Sequence, residues 1–127
     1  MESLERFSTL TEYLNPELKI MKWFEVDYNA DTITIRRRKL LFLKSVTVIS
    51  WSRIIRICFL AGDHIKFDEV YIFTEERPES YVIPMDAYGG LQLWGELIER
   101  GLFDAELAIK AASASSDELL CWPPEKE

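Results

Sequence analysis

Phe24-Glu25-Val26-Asp27-Tyr28-Asn29-Ala30-Asp31-Thr32-Ile33-Thr34-Ile35 is the stretch whose reading decides the fold. Phe24, Val26 and Tyr28 alternate with Glu25 and Asp27, the period-2 pattern of a strand with one buried face. Asn29-Ala30-Asp31 carries turn chemistry, because Asn and Asp side chains bond their own backbone and tolerate tight conformations. Thr32 to Ile35 resumes the alternation with β-branched residues throughout. The stretch predicts a β-hairpin, and so an antiparallel sheet.

Working downstream, residues 40–50 and 53–60 are β-rich, and Ala61-Gly62-Asp63-His64 reads as a turn. Glu69 to Thr74 is a further strand. Glu75-Glu76-Arg77-Pro78-Glu79 reads as a polar turn, and Ser80-Tyr81-Val82-Ile83 as a short strand ending at Pro84. That predicts about six antiparallel strands joined by short turns, as an open sheet or a partly open barrel. The period then changes. Leu91, Trp94, Leu97 and Ile98 fall on one helical stripe that Gly101 can cap. Asp104 can cap a second short helix, Ala105 to Ala112. Ser113 to Ser116 is linker-like, and the Leu119-Leu120-Cys121-Trp122 patch before Pro123-Pro124 is expected to fold back on the body.

Upstream, Leu4, Phe7, Leu10 and Leu14 recur at helical spacing, so residues 3–14 are expected to form an N-terminal helix stopped by Asn15-Pro16. The chain of 127 residues, 48% hydrophobic, is read as one α+β domain. Its segments are 1–20 helical, 22–84 strands, 88–112 helices and 113–127 tail. The acidic start and the lack of an apolar run of about 18 residues argue against a signal peptide or a membrane helix. With Cys58 and Cys121 taken as free thiols, the expected compartment is the cytoplasm, without stable membrane association.

Charge is segregated along the chain. Residues 1–35 hold seven acids and three bases, residues 36–66 one acid and eight bases, and residues 67–127 fourteen acids and four bases, with a formal net charge of −7. Either the blocks reach solvent as separate patches, giving the domain a directed potential, or they adjoin and neutralise each other across a sheet. The overall negative charge disfavours nucleic acid, whose backbone must be neutralised by bases.

Ile49-Ser50-Trp51-Ser52-Arg53-Ile54-Ile55-Arg56-Ile57, followed by Val70-Tyr71-Ile72-Phe73 and Tyr81-Val82-Ile83-Pro84, resembles strands of small bacterial pleckstrin-homology-like domains over about residues 22–101. The resemblance implies a binding scaffold for lipid headgroups, peptides or protein surfaces. Lys22 with Arg36, Arg37 and Arg38 echoes the basic residues that flank the first hairpin in phosphoinositide-binding members. Asp27 and Asp31 beside the turn oppose a phosphate.

Three candidate sites emerge. The first is Glu75, Glu76, Glu79, Tyr81, Asp86 and Tyr88, acids interleaved with aromatics, which suits a basic protein partner. The second is the basic run Arg36-Arg37-Arg38-Lys39, for an anionic ligand or lipid headgroup. The third is His64 with Asp63 or Asp68, for acid/base chemistry. No nucleophile elbow, phosphate loop, dinucleotide fingerprint or zinc-ligand set occurs, so neither metal nor cofactor is expected. The sequence therefore favours a non-enzymatic protein-binding module, of the kind an immunity or inhibitor protein provides by covering a basic partner. An anion-binding module and a small enzyme using His64 stand as alternatives. An uncapped edge strand or the Leu119–Trp122 patch offers a route to a homodimer.

Overall fold

The computed structural model describes residues 23–38 and 44–124. The expected N-terminal helix, Lys39 and the first residues of the expected third strand lie outside that range. The described chain is α+β. β1 (Phe24–Tyr28), β2 (Thr32–Arg38) and β3 (Lys44–Ser50) form one antiparallel sheet in that order. A 3-10 turn, Trp51–Arg53, leads into β4 (Ile54–Leu60), followed by β5 (Glu69–Thr74) and β6 (Arg77–Pro84). Helices α1 (Gly90–Glu99) and α2 (Ala105–Ala112) come next, and β7 (Leu119–Trp122) closes the chain. The second sheet has the order β6-β5-β4-β7.

The predicted hairpin forms, with Val26 opposite Ile35 and Tyr28 opposite Ile33. Asn29 does what turn chemistry asks of it, accepting the N–H groups of Asp31 and Thr32 on Oδ1, both at 2.8 Å. Asp104 caps α2 as expected, accepting the Leu107 N–H at 3.0 Å. Inward residues of both sheets and of α1 share one apolar cluster in which Ile33, Ile57, Ile72, Leu97 and Phe103 are fully buried. Each such side chain contributes about 1.5–3 kcal/mol through burial.

Two expectations need correction. Among the described residues there are seven strands in two sheets rather than about six in one, because the apolar tail does not merely pack on the body. It adds β7 to the free edge of β4, with Leu120 opposite Phe59 and Trp122 opposite Ile57. Residue pair Cys58 and Cys121 stands directly opposite in that ladder and is joined as a disulfide. The cysteines are therefore not free thiols, and the argument they supplied for a reducing compartment falls away. Among the described residues, no helix is long and apolar enough to cross a membrane.

Arg100, just past α1, ties the hairpin turn to the rest of the fold. Its guanidinium lies 3.9 Å above the Trp51 ring and reaches the Asn29 carbonyl at 3.3 Å. The Trp51 indole N–H donates to the same carbonyl at 2.8 Å. Arg100→Ala removes the cation–π contact and leaves Trp51 uncovered. Its expected cost is about 1–2 kcal/mol of unfolding free energy, to be read from urea denaturation.

Candidate functional site

An open recess follows from an interrupted strand pairing. Val26 and Tyr28 turn their backbone groups away from β2, as the Asn29–Thr32 turn bond fixes the alternation. The segment after β6 approaches this free edge. Val26 N–H donates to the Tyr88 carbonyl at 2.8 Å, and Tyr88 N–H donates to the Phe24 carbonyl at 3.0 Å. Pairing then stops, because Gly90 N–H turns to the Ala87 carbonyl at 2.9 Å and the chain enters α1. Only glycine permits the crossing. Gly89 has φ +84°, and a Cβ there would stand 2.0 Å from the Val26 carbonyl oxygen.

Where the two segments part, a groove of about 860 Å³ opens. Val26, Asp27 and Tyr28 form one side, and the turn from Met85 to Gly89 forms the other. Leu91 and Gln92 from the first turn of α1, and Phe67 from the β4–β5 loop, complete the rim. Phe67, Tyr88 and Leu91 are 63%, 62% and 68% exposed, so the groove is open and apolar groups line its mouth. Asp68 holds the Phe67 loop in place. Its carboxylate accepts the Gly62 N–H at 2.7 Å and its carbonyl accepts the Met85 N–H at 2.8 Å.

The six acidic and aromatic positions singled out in the sequence do not form one surface. Asp86 and Tyr88 line the groove. Glu75, Glu76 and Glu79 sit at the opposite end of β6, a strand that spans roughly 23 Å. Tyr81 is partly buried against the core, and Arg77 covers its ring at 3.9 Å.

Arg36, Arg37 and Arg38 border a small recess of about 70 Å³ with Lys44 and Glu25. Their charges are partly committed. Arg36 pairs with Asp27, which holds its guanidinium pKa above the ordinary value through that hydrogen bond and ion pair. Arg37 lies 5.2 Å from the centre of the Phe24 ring. Elsewhere in the basic block, Arg53 meets Glu75 at 3.4 Å and Glu76 at 3.9 Å, and Lys66 meets Asp117 at 3.5 Å. Of the two arrangements the sequence left open, the structure therefore shows acids of both flanking blocks neutralising bases of the middle one. Among the described residues a wholly separate positive patch does not form, since β1–β2 and β4–β5 pairing brings opposite charges together.

His64 is exposed and makes no hydrogen bond to Asp63 or Asp68 among the described residues. Both carboxylates serve the loop backbone instead. Asp63 accepts the N–H groups of Ile65 at 2.7 Å and Lys66 at 2.9 Å. These bonds, that of Lys66 first, lower its pKa below the ordinary 3.8. A depressed carboxyl supports the fold above its unfolded pKa and loses that support as pH falls through the folded one. The Ile65 and Lys66 amides should therefore keep their protected chemical shifts down to about pH 3.8 and lose them only below it, in an NMR titration. No cluster of three or more His, Cys, Asp or Glu suited to a metal occurs among the described residues.

No family model matches the chain, and neither a curated protein nor a solved structure matches it.

Proposed function

We propose that the protein is a non-enzymatic binding module whose groove between β1 and the start of α1 docks an apolar segment of a basic protein partner. The supporting observation is the group of exposed side chains Phe67, Tyr88 and Leu91 around one open recess. Exposed aromatic and aliphatic groups gathered at a concave site are the anchors that carry most binding energy in protein interfaces. The net charge of −7 favours encounter with a cationic partner, and Asp86 on the groove wall adds a local acid. A pleckstrin-homology-like scaffold belongs to the same proposal, as does a role in covering a basic partner.

The charge pairing moves the reading away from the acidic β5–β6 turn. Glu75 and Glu76 already answer Arg53, whereas the groove residues Tyr88 and Leu91 have unspent apolar surface. The test is affinity capture from native lysate with wild type and with Tyr88→Asp and Leu91→Asp variants. A specific basic partner should be recovered by wild type. Each substitution should cost about 2 kcal/mol of binding, roughly thirtyfold in Kd. Undiminished recovery by the double variant, or recovery of acidic proteins alone, counts against the groove.

A further inference from the structure

We propose that the outer edge of β3 pairs antiparallel with β3 of a second copy of this chain, in a register centred on Thr47. This surface is separate from the groove. β3 is the last strand of its sheet, and no described strand pairs with its outer edge.

The hydrogen-bond alternation says which groups that edge offers. The Asn29 N–H bond to the Thr32 carbonyl fixes Thr32, Thr34 and Arg36 as pointing at β1. Ile33, Ile35 and Arg37 therefore bond across to Ile49, Thr47 and Ser45. The backbone groups of Lys44, Val46 and Val48, and the N–H of Ser50, aim away from the sheet. Their side chains share the outer face, where Val46 is 62% and Val48 is 57% exposed. The strand from Ser45 to Ser50 has neither a charge nor a proline. Charge and proline ordinarily keep an edge from pairing, and among the described residues of this strand a single lysine at its start is the one such device.

The sequence of β3 then selects its own register. Edge-to-edge pairing requires outward residues to face outward residues, so the two-fold axis falls on Val46, Thr47 or Val48. Centring on Val46 sets Val48 opposite Lys44 of the second copy, and centring on Val48 sets Val46 opposite Ser50. Centring on Thr47 sets Val46 opposite Val48 in both directions, so every exposed valine covers another. Lys44 then faces Ser50, and the two Lys44 charges stand roughly 20 Å apart along the strands, beyond the screening length of about 8 Å at physiological salt. Apolar pairs directly opposite on neighbouring strands stabilise a ladder, and like charges opposite destabilise it. The product is one continuous six-stranded sheet across two copies.

Sedimentation equilibrium of the full chain over a wide concentration series reads this directly. Wild type should show a reversible monomer–dimer equilibrium. Val46→Pro with Val48→Pro deletes only outward N–H groups, because β2 is bonded through Ser45, Thr47 and Ile49. The dimer dissociation constant should rise roughly a thousandfold with the four donors lost from the pair of edges. Val46→Lys with Val48→Lys sets like charges opposite each other and should have the same effect. It decides the matter if the proline variant does not fold. Tyr88→Asp should leave the dimer unchanged. A wild type that stays monomeric throughout, a folded lysine variant that dimerises as wild type does, or loss of the dimer in Tyr88→Asp overturns the proposal.

Discussion

Replacing both Cys58 and Cys121 with serine should lower the unfolding free energy by about 4 kcal/mol. The two residues are separated by 63 positions, and cross-linking a loop of that length removes about this much free energy's worth of freedom from the unfolded chain. A domain of this size has a net stability of about 5–15 kcal/mol, so the loss is a large part of the total. The effect should begin locally. β7 has only four residues, and once untethered its amides should exchange with solvent faster than those of β4 and β5. Urea denaturation of the oxidised, reduced and serine-substituted forms measures the first effect, and hydrogen exchange measures the second. Denatured, unreduced protein should show no thiol reactive to alkylation. Two reactive thiols there contradict the disulfide, and oxidised and serine forms of equal stability contradict its stabilising role.

Gly89→Ala should cost about 3–4 kcal/mol and abolish the groove. A left-handed backbone costs an L residue about 1–2 kcal/mol. The added Cβ would lie 2.0 Å from the Val26 oxygen, so the segment must lift off β1. Lifting it breaks the two backbone bonds between Tyr88 and β1, each worth about 1 kcal/mol net. Gly95 in α1 provides the contrast. A Cβ there meets nothing within 4 Å, and Gly95→Ala should raise stability by about 0.5–1 kcal/mol through helix propensity. Denaturant midpoints of the two variants, with equal slopes, test the pair. A mild effect at Gly89 similar in size to that at Gly95 contradicts the close crossing.

What the sequence disclosed and what it withheld divide along sequence distance. Alternation of Phe24, Val26 and Tyr28, the turn residues at Asn29 to Asp31, and the Asp104 cap are local signals. Each is satisfied by neighbours a few residues away. β7 was hidden because four apolar residues before two prolines read equally well as a docked tail. Its approach depends on Asp117 at φ 65° and on contacts between residues 117–118 and Ala61, far away in sequence. The disulfide gave no signal either, since two cysteines without a spacing motif do not announce a pair. The start of β6 was misplaced for a related reason. Arg77 and Pro78 resemble turn residues, yet the turn is confined to Glu75 and Glu76, and Arg77 secures the next strand by donating to the Glu79 and Ser80 carbonyls at 2.8 Å.

The groove was half legible. Asp86 and Tyr88 were marked by the sequence as acid and aromatic together, and they do line it. Val26, Tyr28 and Leu91 carry only strand and helix signals in the sequence and Phe67 carries none, because their convergence is tertiary. The Gly89-Gly90 pair was the available clue. A glycine pair at a helix start implies a close backbone approach as readily as a turn, and the approach fixes where the recess opens. Charge left two arrangements open. Block counts along the chain carry no information about strand pairing, and pairing set Arg53 against Glu75 and Arg36 against Asp27.

The central claim is that the groove rim meets the partner. A photo-crosslinking amino acid placed at Leu91 tests it against the same group placed at Ile109 on α2, a site of similar exposure at 73%. After irradiation in native lysate, position 91 should yield a discrete adduct with one basic protein, and position 109 none. Equal labelling from both positions, or an adduct from position 109 alone, contradicts the account.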